Sequence, residues 1–150
     1  MTELIKHVYE TFSTIRFPIP CDADVTALER RMKVALPDDY RSFLLEYNGG
    51  RFRNPKINTP YPNLRVENLD LLKGVNTSEQ WAEFGSPADL VLFEDNDPPQ
   101  VLPIGSTQSG NLILIITHAD DHGVIMLRTV NQESYWLSDG IEQFFELLSE

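Results

Sequence analysis

The chain of 150 residues contains one cysteine, Cys21, so it cannot close an internal disulfide and carries no sign of an oxidising compartment. No such staple is needed, because a chain of this length buries roughly 70% of the surface that its unfolded form exposes. Long apolar runs are also missing. The longest aliphatic run, Leu112 to Ile116, is five residues, whereas a helix needs about 20 to span a bilayer. Glu3, His7 and Glu10 interrupt the start of the chain, which leaves no room for the apolar segment of a secretory signal. Internal repeats, low-complexity tracts and linkers are absent as well. A single domain over 1–150, located in the cytoplasm, is the expectation.

Positive charge is scarce. Twelve Lys and Arg face 23 Asp and Glu, a formal net charge of −11 at pH 7. Residues 1–75 hold ten acids and eleven bases, whereas residues 76–150 hold thirteen acids and a single base, Arg128. Gripping nucleic-acid phosphates takes clustered Lys and Arg, so direct nucleic-acid binding is not expected, and docking on anionic membranes is disfavoured for the same reason. A basic protein partner is favoured instead, since an acidic surface steers it into encounter. Acidity that serves solubility alone is the competing reading.

What is present is patterned. Ile5, Val8, Phe12 and Ile15 recur at helical spacing and predict a helix over about 2–15, which Pro18 and Pro20 stop. Asp22 and Asp24 stand where helix caps belong, ahead of a second apolar stripe of Val25, Leu28 and Met32 that reaches about residue 33. Pro37 suits the first position of a third helix, whose stripe is Tyr40, Phe43, Leu44 and Tyr47. Asn48, Gly49 and Gly50 tolerate left-handed backbone and end it. Residues 51–63, rich in proline and cations, read as a loop. Short strands are expected around 64–75, and a helical turn or two around Trp81. Segments 101–104, 112–117, 124–130 and 134–137 read as strands joined by short turns, hence antiparallel. A final helix carries Ile141, Phe144, Phe145 and Leu148, with Ser138 or Asp139 as its cap. The sum is an α+β fold, a largely antiparallel sheet flanked by helices.

Candidate chemistry is thin. Gly105 and Gly110 have the spacing of a phosphate loop, but Asn111 and Leu112 stand where Lys and Ser/Thr must be. His118, Asp121 and His122 offer metal-binding groups, yet they fall where a hairpin turn ending in Gly123 belongs, and a solvated turn is expected there. Glu94, Asp95 and Asp97 begin like a calcium loop, but Pro99 replaces the third ligand, which leaves an acidic exposed loop. Cys21 is expected to be inert. Trp136 is assigned to the core from its strand pattern, and Trp81 is divided between core and interface anchor. No catalytic residue, metal or cofactor is expected.

One stretch is distinctive: Leu36-Pro37-Asp38-Asp39-Tyr40, then Phe43 and Leu44, then Asn48-Gly49-Gly50. It resembles the signature of the SUKH superfamily of Smi/Knr type, and Leu102-Pro103-Ile104-Gly105, Gly110-Asn111 and the terminal Asp139-Gly140-Ile141 stretch resemble its later landmarks. The resemblance implies an α+β domain without known catalytic residues. Its bacterial members are often immunity proteins that bind and neutralise a toxin, frequently a nuclease, while fungal relatives act as regulatory interaction proteins. Leu36, Pro37, Tyr40, Phe43, Leu44, Asn48, Gly49 and Gly50 carry over as structure and not as an active site. The expected function is therefore a non-enzymatic immunity protein with a basic toxin domain as partner. Trp81, Glu94, Asp95, Asp97, Asp120 and Asp121 are the expected contact residues. A regulatory or scaffolding module of the same fold is the alternative.

Overall fold

The computed structural model describes residues 2–84 and 100–150. Four α-helices lie among them: α1 (Glu3–Phe12), α2 (Asp22–Met32), α3 (Asp38–Glu46) and α4 (Ile141–Glu146). The strands are β1 (Ser13–Ile15), β2 (Gly50–Phe52), β3 (Lys56–Ile57), β4 (Glu67–Leu72), β5 (Val101–Thr107), β6 (Leu112–Ile116), β7 (Ile125–Arg128), β8 (Ser134–Ser138) and β9 (Leu148–Ser149). The sheet runs β1-β2-β4-β5-β6-β7-β8, with β3 between β4 and β9, and every strand pair is antiparallel. The α+β architecture is as the sequence predicts.

The helices bury the residues that their periodicity singles out. Ile5, Val8 and Tyr9 of α1, Val25, Leu28 and Met32 of α2, Tyr40, Phe43 and Leu44 of α3, and Ile141, Phe144 and Phe145 of α4 share one core with Leu69, Leu102, Ile104, Ile113, Ile115, Ile125 and Leu127 of the sheet. The Leu112–Ile116 run is continuous rather than alternating because Leu114, on the face away from the helices, is buried too.

Several boundaries differ from expectation, each for a tertiary reason. α1 ends at Phe12, and the next three residues pair with β2 as β1, so Ile15 leaves the predicted helical stripe and is 43% exposed. The cap of α2 is Cys21, whose backbone N–H donates to the Asp24 carboxylate at 3.0 Å. Pro37 is the cap of α3 and not its first residue. The 51–63 segment holds β2 and β3 beside its prolines, because both pair along β4. Leu148 lies beyond α4 in β9, opposite Ile57. The cap of α4 is Gly140, and the N–H of Ile141 donates to Asp39 Oδ2 of α3 at 3.3 Å in place of a local cap. Trp136 is 43% exposed: Tyr135 and Leu137 on either side of it pack on the core, so alternation turns Trp136 to the opposite face.

The Asn48-Gly49-Gly50 turn binds the layers together. Asn48 has φ +56° and is fully buried. Its Nδ2 donates to the carbonyls of Pro18 at 2.8 Å and Val75 at 2.9 Å, while its Oδ1 accepts the Val75 N–H at 2.8 Å. Gly49 has φ +72°, and a Cβ there would sit 2.4 Å from the carbonyl oxygens of Leu72 and Lys73. Only glycine fits so close to β4. The Tyr9 hydroxyl donates to the Gly49 carbonyl at 2.9 Å, and its ring stacks on Tyr47 at 4.5 Å.

Candidate functional site

Trp81 sits in a 3-10 turn, Gln80–Ala82. Ala82 packs with Phe17 and Leu71 in a small second core. Leu71 belongs to it because β4 turns Leu71 and Leu72 to opposite faces. Trp81 covers this cluster edge-on to Phe17 at 6.2 Å, and the Arg51 guanidinium lies 4.7 Å over its ring. Its Nε1 donates to Glu79 Oε2 at 3.1 Å. Arg51 also reaches Asp70 at 3.4 Å, and its Nε is buried without a hydrogen-bond partner among the described residues. Trp81 is thus held in one orientation yet remains 41% exposed, which divides it between core and surface.

Asp120 and Asp121 lie in the 3-10 turn Ala119–Asp121 of the β6–β7 hairpin and are exposed. His118 is exposed too, and His122 Nε2 lies 2.7 Å from the Ala35 carbonyl oxygen. That contact docks the turn on the α2–α3 connection. Among the described residues no three His, Cys, Asp or Glu come together as a metal would require. The segment that carries Trp81 packs on α2 and α3: Phe84 meets Tyr40 edge-on at 6.5 Å, and its carbonyl accepts from Arg31 at 3.3 Å. Glu94, Asp95 and Asp97 lie outside the described residues.

Some cations of the first half are engaged within the fold, while Lys6, Arg30, Arg53, Lys56 and Arg65 are exposed. Arg41 donates to Asp22 at 2.6 Å, Glu29 at 3.2 Å and Thr26 at 2.8 Å. Its hydrogen bond and charge hold the Asp22 carboxyl below the usual carboxylate value. Arg16 lies 5.1 Å over the Tyr9 ring, and Lys73 donates to the Glu83 carbonyl at 3.2 Å. Asp120, Asp121 and Glu133 of the second half face water.

A feature that periodicity gave no reason to single out lies at the other end of the hairpins. Glu67, at the start of β4, is only 4% exposed and lines a cleft of about 470 Å³ between the 63–66 segment and the β5–β6 and β7–β8 turns. Its one signal in the sequence is an acid two residues before Leu69, in alternating register with that core leucine.

The profile of the SMI1/KNR4 family (SUKH-1) matches residues 20–147. This chain belongs to the SMI1/KNR4 family. The match spans the distinctive helix α3 and its glycine turn, and it confirms the family resemblance seen in the sequence. Comparison with curated proteins and with solved structures returned no match. Among the described residues, no helix of this SUKH-1 chain is long and apolar enough to cross a membrane.

Proposed function

We propose that this SUKH-1 protein acts by binding, as an immunity protein that occupies and neutralises a basic toxin domain. The observation that carries the reading is the division of charge: the first half nearly balances ten acids with eleven bases, of which Arg41 is paired with its own acids, and the acidic half has one base against thirteen acids. A toxin that grips phosphate presents a cationic groove, and an acidic surface competes for it. Nuclease–immunity pairs are among the tightest complexes known, so binding alone is strong enough to neutralise. Asp120 and Asp121 supply steering charge in this reading, with Glu94, Asp95 and Asp97 beside them in the sequence half that carries the charge. Trp81, pre-oriented by Arg51 and Phe17, supplies an apolar anchor.

The test is affinity capture from the source lysate at low and at moderate salt, followed by titration of the captured protein's activity. The expected result is one basic partner with a toxin domain, weakened by salt and inhibited with a 1:1 end point. Several unrelated partners, with no activity inhibited, would replace this reading with a regulatory module.

A further inference from the structure

Glu67 is a buried carboxylate held by neutral donors alone. Its Oε2 accepts from the Ser109 hydroxyl at 2.6 Å, and its Oε1 accepts from Asn111 Nδ2. Asn111 is itself fixed, since its Oδ1 accepts the Val130 N–H at 3.1 Å and its backbone N–H donates to Thr107 Oγ1 at 3.2 Å. The amide therefore presents its donors to Glu67 by construction. A carboxylate has about four acceptor positions, and these two bonds use two of them.

No cation lies within ion-pair distance of Glu67 among the described residues. Arg65, the one cation on the cleft wall among the described residues, is exposed and makes no ion pair with it. Withdrawing a carboxylate from water without a countercharge is costly, so a cation that entered would form charge-assisted hydrogen bonds in a partly desolvated place. The cleft suits one. Glu133 and Tyr135 form part of its wall, and the Tyr135 hydroxyl donates to Glu133 Oε2 at 3.2 Å. An aromatic ring beside carboxylates is a common setting for guanidinium and ammonium groups. The volume is in the range of sites that take small organic groups.

We infer that the Glu67 cleft is a receptor for one alkylguanidinium or alkylammonium group, the tip of a basic side chain presented by the protein partner. The assignment to a partner's side chain rests on the proposed function, whereas the cation site stands on its own geometry. The probe is N-acetyl-arginine methylamide, titrated into the full chain and followed by amide NMR. Its neutral near-isostere, N-acetyl-citrulline methylamide, and spermidine are titrated in parallel. The expected result is saturable shifts at Ser109, Val130 and the Asn111 side-chain amide, with citrulline weaker by about tenfold or more, as loss of a charge-assisted contact implies. Glu67→Gln keeps the shape and should abolish the difference between the probes. Val130→Trp, at a rim residue 72% exposed, should block entry without touching the core. Equal binding of arginine and citrulline, or arginine shifts that survive both variants, would overturn the site. Spermidine binding tighter than the arginine probe would overturn the assignment to a side chain in favour of a free polyamine. If the arginine probe binds and lysate capture yields no basic toxin, the cleft stands and the immunity reading falls.

Discussion

Asn48 shows how much of this fold hangs on single polar side chains. It completes the backbone hydrogen bonding of two segments that have no partner in a helix or strand, at Pro18 and Val75. Asn48→Ala would leave two carbonyls and one N–H without it inside the protein, and should lower stability by about 3 kcal/mol. Urea denaturation would measure this, with a cost under 1 kcal/mol refuting the role. Tyr9 and Tyr40 make a second prediction. Burial pushes both hydroxyls well above their ordinary value of 10.0. In the unfolded chain they ionise near that ordinary value, while the folded chain keeps them protonated. Stability is therefore intact below pH 10 and falls as the pH rises above it toward the folded values. Urea midpoints across that range should show the decline, and Tyr9→Phe should make it shallower.

At the scale of elements, the short segments are held by one another. Asp39 belongs to the first turn of α3, where its charge favours the helix start, and its carboxylate also accepts the Ile141 N–H that α4 leaves open. Asp39→Ala should thus cost about 1–2 kcal/mol and loosen two helices at once. Hydrogen exchange would show it as faster exchange at Ile141 as well as within α3; a change confined to α3 would refute the shared cap. The stripe of Tyr40, Phe43 and Leu44 was legible beforehand because a 3.6-residue period is a local property. Ile15 and Leu148 continued such periods but went into strands, since β2 and β3 offered unsatisfied backbone that no local pattern reveals. Trp136 was misplaced because alternation shows which residues share a face, and the covering layer decides which face is dry.

For the whole molecule, the relevant quantity is the acidic field and its range, about 8–10 Å at physiological salt. Asp120→Asn combined with Asp121→Asn should slow association with the basic partner several-fold at low salt, leave dissociation nearly unchanged, and lose its effect as salt rises. Stopped-flow mixing would resolve these rates. An association rate indifferent to both substitutions would remove the hairpin turn from the contact surface. Trp81→Ala should act the other way, by raising the dissociation rate, since a pre-oriented aromatic contributes through buried contact.

The sequence by itself determined the fold class, the family-defining helix with its glycine turn, and the split of charge between the halves, because each depends on local spacing or on composition. The tertiary structure alone decided that Asn48 ties Pro18 to Val75 and that Asp39 caps a helix about 100 residues later in the chain. It alone placed Glu67 at a cleft between two distant hairpin turns. These are contacts between backbone and side chains far apart along the chain, and their energy comes from excluding water around polar groups, which happens only once the layers have closed.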